Sequence, residues 1–205
     1  MTEVTGMPAG LVEPGRPGEI VGVLLAAGQG RRFGSDKLMH RLADGRPMAV
    51  IAASRLLPAC DRVIAVCHPG NHDLARHLAA CGCRTLFCGK AEAGMGHSLA
   101  AAVQASPEAA GWLVALADMP FIETASHRRV SNQLRAGAGI VTVEYEGRRG
   151  HPVGFAQAYF ADLIALTGDQ GARSLLTAHS ARISRLAVDD PGICRDIDTV
   201  ADLKA

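Results

Sequence analysis

Glu19-Ile20-Val21-Gly22-Val23-Leu24-Leu25-Ala26-Ala27-Gly28-Gln29-Gly30-Arg31-Arg32-Phe33-Gly34-Ser35-Asp36-Lys37 decides the fold. Ile20 to Leu25 is a continuous apolar run, the pattern of a strand buried on both faces of a parallel sheet. A glycine loop carrying Arg32 and Lys37 follows it directly. Further strands read at Arg62 to Cys67, Arg84 to Phe87 and Trp112 to Leu116, with helical patterns over 47–57 and 72–80 and from Ser98 to Ala105. This alternation over 19–136 predicts an α/β fold: three layers, a mostly parallel central sheet with helices on both faces. Beyond it, Gly139 to Tyr145 and Val153 to Phe155 flank a Gly-Arg-Arg-Gly turn, which predicts a hairpin-like excursion in the C-terminal half. Helical patterns over 158–166 and 172–179, a strand from Ile183 to Val188 and a last short helix capped by Thr199 complete the chain. Residues 1–18, with four Gly, three Pro and no periodicity, read as a flexible tail, leaving 19–205 as a single domain.

Composition narrows the function. The 205 residues are 48% hydrophobic and 20% charged with a net charge of +1, which excludes wholesale disorder and the basic excess of nucleic-acid coats or membrane-surface proteins. At 4% aromatic there are few platforms for stacking single-stranded nucleic acid. Apolar stretches such as Trp112 to Ala117 are too short to span a bilayer, and no secretory leader is visible. Six cysteines without a CxxC pair read as reduced, mostly buried thiols of a cytoplasmic protein. His68, His72 and His77 read as surface histidines, because His72 and His77 are five positions apart, the wrong spacing for one helical face.

Chemistry is expected beyond the carboxyl ends of the strands. In the first loop, Gly28 and Gly30 allow turned backbone amides to cradle phosphate oxygens, while Arg32 and Lys37 add charge. Its GxGxxxG spacing satisfies neither the P-loop nor the dinucleotide fingerprint, and a tight strand-to-helix turn with solvated cations is the competing reading. In Leu116-Ala117-Asp118-Met119-Pro120, Asp118 either holds Mg²⁺ or caps the next turn; a phosphate loop alongside favours the metal. Alternation in Asp196-Ile197-Asp198-Thr199 puts both aspartates on one face of a strand, making Asp198 a second candidate ligand.

Six segments in fixed order carry a family resemblance. They are Leu25-Ala26-Ala27-Gly28-x-Gly30-x-Arg32-Phe33-Gly34-x-Asp36-Lys37, Gly94-Met95-Gly96-His97-Ser98-Leu99, Leu116 to Pro120, Gly150-His151-Pro152-Val153, Gly168-Asp169-x-Gly171-Ala172-Arg173, and Asp196 to Thr199. From about residue 20 to 204 the chain resembles the molybdenum cofactor nucleotidyltransferases, especially the cytidylyltransferase branch, with their nucleotidyltransferase Rossmann-like fold. The resemblance implies transfer of CMP from CTP to the terminal phosphate of molybdopterin, with release of pyrophosphate. Arg32 and Lys37 would then hold the β- and γ-phosphates, and Asp118, with Asp198, would hold Mg²⁺. Leu25, Ala26, Ala27, Gly28, Gly30, Gly94, Gly96 and Ser98 would contact the nucleotide, with Gly94 to Ser98 under the base. His151, Asp169 and Arg173 fall on the acceptor side, where a turn residue before Pro152 and a helix-surface cation are the competing readings of His151 and Arg173. Ala27 stands where the GTP-using branch has glycine, which favours CTP. A molybdenum hydroxylase client, another small phosphorylated acceptor, and an NAD(P)H-dependent oxidoreductase of the same fold complete the field.

Overall fold

The computed structural model describes residues 18–28 and 36–203; apart from Gly18, the expected tail lies outside them, as do Gly30 and Arg32. One sheet contains β1 Ile20–Ala26, β2 Arg62–Cys67, β3 Arg84–Phe87, β4 Gly111–Leu116, β5 Ile140–Tyr145, β6 Arg148–Ala156 and β7 Ile183–Ala187. Its order is β3-β2-β1-β4-β6-β5-β7. Every neighbouring pair is parallel except those made by β6, which runs against both β4 and β5.

The helices are α1 Met48–Leu56, α2 His72–Ala80, α3 Met95–Gln104, α4 Thr124–Arg135, α5 Phe160–Ile164 and α6 Arg173–Ala178. Alternation along β1 divides the core. Ile20, Leu24 and Ala26 pack with α1, α2 and α4 residues such as Leu56, Leu74 and Val130. Val21 and Val23 pack on the opposite face with Leu99 of α3, Leu163 of α5 and Leu176 of α6. Burial of both sheet faces explains the uninterrupted apolar run of β1. No described helix is long and apolar enough to cross a membrane.

Three expectations need correction. The hairpin turns at Glu146 and Gly147, both with positive φ, so Arg148 to Gly150 belong to β6 rather than to the turn. The expected hairpin of β5 and β6 is part of the sheet, with β6 inserted between β4 and β5. The register jumps from Val143 opposite Gly150 to Thr142 opposite Val153, so His151 and Pro152 form a bulge within a strand, not a turn. Residues 195–198 form no strand, although Asp196 and Asp198 do flank the buried Ile197. Thr199 precedes a short 3-10 segment, Val200–Leu203.

Candidate functional site

Two cavities abut beyond the carboxyl ends of β1 and β4. The first, about 280 Å³, is walled by Leu25, Ala27 and Gly28 after β1, Lys37 and Leu38, Gly94, Met95 and Ser98 at the start of α3, and Asp118 after β4. The second, about 300 Å³, has an apolar floor that includes Leu99, Val114, Phe155 and Leu176, and a polar rim of Arg149, His151, Gln170 and Arg173. Leu25, Met95 and Asp169 line both.

Lys37 is the electrostatic centre. Its residue is 8% exposed, and its Nζ lies 2.9 Å from Asp118 Oδ2 and 2.9 Å from Asp198 Oδ1. Burial alone would lower its pKa, but the bonds to and charges of Asp118 and then Asp198 outweigh that and hold it above the ordinary lysine value. The ammonium is therefore permanently charged near neutrality, and two carboxylate oxygens converge on one point. Paired hard oxygens that leave the remaining positions to phosphate and water suit Mg²⁺ or Mn²⁺. No group of three or more His, Cys, Asp or Glu residues suited to a closed metal cage occurs among the described residues. The donor set thus fits a divalent ion shared with a phosphate ligand, once Lys37 gives up the position.

The segment Gly94 to Ser98 enters helix three residues earlier than its glycines suggest, since α3 begins at Met95. Those glycines serve the chain's own packing. Gly94 has φ +124°, and a Cβ there would stand 2.1 Å from Gly168 C. A Cβ on Gly96 would stand 2.7 Å from Thr167 O, and the Gly96 amide donates to Gly168 O at 2.9 Å. Gly96 is locked against the 167–168 backbone and does not line the first cavity, whereas Gly94 combines that packing with a place in the first cavity wall. The Ala26 side chain packs into the α1-side core and lines neither cavity.

The acceptor-side residues His151, Asp169 and Arg173 come together at the second cavity. The bulge of β6 carries His151, whose Nδ1 is buried without a hydrogen-bond partner. Burial pulls its pKa below the ordinary imidazole value against the opposing backbone bond with Val114 and the charge of Asp118, so the ring is neutral. Arg149 also lines this cavity and escaped sequence reading, since Gly-Arg-Arg-Gly looks like a turn. Its signal was there: a basic residue two before His151 on an alternating strand. Asp196 is exposed and lines neither cavity. His68 pairs with Glu92, His72 packs edge-on to Phe87, and His77 bonds the Asp73 carbonyl, each apart from the two cavities.

Relatives match this chain in sequence, and solved structures match it in fold. Purine catabolism protein PucB of Bacillus subtilis (strain 168) is 29% identical over 191 residues, covering 88% of this chain and 92% of its own. Nicotine blue oxidoreductase of Paenarthrobacter nicotinovorans is 29% identical over the same length, covering 88% and 93%. The crystal structure of Rv0371c from Mycobacterium tuberculosis H37Rv superposes with TM-score 0.78 at 26% identity, covering 92% of this chain and 97% of that one. A complex of Rv0371c with manganese is also similar, with TM-score 0.73. The fold is a nucleotidyltransferase Rossmann-like α/β fold, and residues 22–183 match the family described as MobA-like NTP transferase domain, so the chain belongs to that family.

Proposed function

We propose that this chain transfers CMP from CTP to the phosphate of a molybdopterin-type acceptor. The observation that carries the reading is the Asp118–Lys37–Asp198 triad, whose Lys37 and Asp118 line the first of the two abutting cavities. An oxygen of the acceptor phosphate attacks the α-phosphorus, the bond to the bridging oxygen of the β-phosphate breaks, and pyrophosphate leaves with that electron pair. The attacking group is already an anion, so no side chain acts as nucleophile or base. What the protein supplies is alignment and charge.

The first cavity takes the triphosphate nucleoside, with Ala27, Gly28, Gly94 and Ser98 around it and Lys37 on its phosphates. Lys37 exchanges carboxylate oxygens for phosphate oxygens, which frees Asp118 and Asp198. A Mg²⁺ held by those two carboxylates would neutralise charge on the α-phosphate. Arg32, outside the described residues, is proposed to join Lys37 on the phosphate tail, and Gly30 to supply an amide to it. The second cavity takes the acceptor: its apolar floor suits a flat heterocycle, and Arg149 and Arg173 suit the phosphate. Neutral His151 offers a hydrogen bond to the ring, and Asp169 sits where the two substrates meet. Hydride transfer has no use for a buried ammonium between two carboxylates, which sets this reading apart from an oxidoreductase.

The test is pyrophosphate release with each of the four nucleoside triphosphates and Mg²⁺, with and without molybdopterin. Release confined to CTP plus acceptor is expected. Preference for GTP would overturn the base assignment, and nicotinamide oxidation without pyrophosphate would overturn the transferase reading. Asp118→Asn keeps an oxygen for Lys37 while removing the charge, and it should lower kcat by about a thousandfold with little change in melting temperature. Ala27→Gly should narrow the kcat/KM ratio of CTP over GTP by about tenfold, because a single methyl discriminates weakly.

A further inference from the structure

A third cavity, about 480 Å³, lies apart from both substrate cavities and shares no lining residue with them. Its size is that of a small-molecule pocket. Four basic side chains face it: His40, Arg41, Arg55 and Arg195. Its apolar surface comes from Leu42, Ile51, Phe121 and Leu203. Main-chain carbonyls hold the guanidinium groups in position. Arg41 Nη1 donates to Gly45 O at 2.6 Å, Arg55 Nη1 to Ile122 O at 3.4 Å, and Arg195 Nη2 to Asp202 O at 3.2 Å. Arg195 Cζ also lies over the Phe121 ring, 4.0 Å from its centroid. The one carboxylate in the lining, Asp44, is taken by Arg46 through Nε at 2.9 Å and Nη2 at 2.7 Å.

The position of the walls is as telling as their charge. Residues 40–44 follow Lys37 after one short 3-10 turn, Phe121 is three residues past Asp118, and Arg195 is three residues before Asp198. Each wall is thus the continuation of one member of the triad. A molecule that draws the walls together pulls on all three.

We propose that this cavity binds a small organic anion, one carboxylate or phosphate head on an apolar body, and that its occupancy is felt at Lys37, Asp118 and Asp198. Arg41 and Arg55 grip the head through paired N–H donors. Leu42, Ile51 and Leu203 cover the body, while the Arg195–Phe121 stack presents a flat side to it.

The test uses phenyl phosphate as probe on the full chain, followed by backbone amide shifts in ¹H–¹⁵N spectra without nucleotide or metal. It is independent of the nucleotide reading, so either can fail while the other stands. The expected result is saturable movement of the Leu42, Phe121 and Leu203 amides, with Leu38 and Asp118 moving at the same midpoint. Phenol and inorganic phosphate, each with half the chemistry, should bind more weakly. The double variant Arg41→Gln, Arg55→Gln should weaken phenyl phosphate by about tenfold or more. Shifts gathered around Ser98 and Arg173 with Leu42, Phe121 and Leu203 silent would overturn the site. A folded double variant titrating like the parent would also overturn it. Silent Leu38 and Asp118 amides would overturn the coupling. Should the double variant not fold, the parent chain's shift map decides alone.

Discussion

The loop after β1 and the joint between residues 94–96 and 167–168 are both written in glycine, for opposite reasons. At Gly28 a methyl group would meet nothing within 4 Å, because the space in front of it is the first cavity. At Gly94 the same methyl would strike the backbone of Gly168, and the positive φ excludes other side chains as well. One glycine fronts a cavity, the other is small for the chain itself. Histidines repeat the contrast. His151 and His127 both have a buried, unpartnered Nδ1, but His151 lines a cavity whereas His127 is sealed inside α4, 2% exposed. Residue type alone therefore does not separate a binding group from a packing group; what stands opposite does.

The strongest way to break this comparison is Gly94→Ala. Backbone strain and overlap together should cost roughly 3–5 kcal/mol, read as a large fall in the urea midpoint, with activity lost alongside. Near-parental stability in that variant would mean that the joint is not tight. The histidine contrast sharpens with pH. Burial lowers the pKa of His127 from 6.5 to about 4, so between those values the unfolded chain holds the extra proton and the folded chain does not. Stability should accordingly fall as pH drops through that window, by up to about 3 kcal/mol. His127→Leu should flatten this slope in denaturation curves taken from pH 7 to 4. The smallest effect on folding belongs to Gly28→Ala. Its stability should stay within about 0.5 kcal/mol of the parent. On the proposed function, its KM for CTP should rise by about tenfold, as a methyl enters the first cavity.

Much of this was legible in the sequence where burial writes an uninterrupted signal. β1, β2 and β4 are apolar runs because both their faces are covered, and the runs show it. α4 left no such trace: its inward face uses Ser126, His127 and Ser131 beside Val130 and Leu134, so it carries no apolar stripe. Ser126 is tolerated there because its hydroxyl donates to Asp190 Oδ2 at 2.6 Å, a partner 64 residues away. The candidate site divides in the same manner. Asp118, Asp198 and Lys37 stood out by type and position, but their meeting at one point could not be read, since the bonds span 81 and 161 residues. Arg149 stayed hidden because Gly147 to Gly150 resembles a turn, whereas the chain turns at Glu146 and Gly147 and Arg149 is already in β6.

The insertion of β6 between β4 and β5 has a consequence for synthesis. A ribosome delivers β1 to β4 well before β6 exists, so during that interval β4 is an open sheet edge bearing Trp112, Leu113 and Val114. Exposed apolar edges of this kind recruit other strands, and growing chains on one messenger bring such edges close together. Only when residues 148–156 emerge does an antiparallel partner cover β4, and Asp198 arrives later still to complete the triad. The nascent protein therefore passes through its most adhesive stage before Lys37 can bridge Asp118 and Asp198. Translation speed across residues 117–147, together with chaperone access there, should govern yield more than any substitution in the finished cavities.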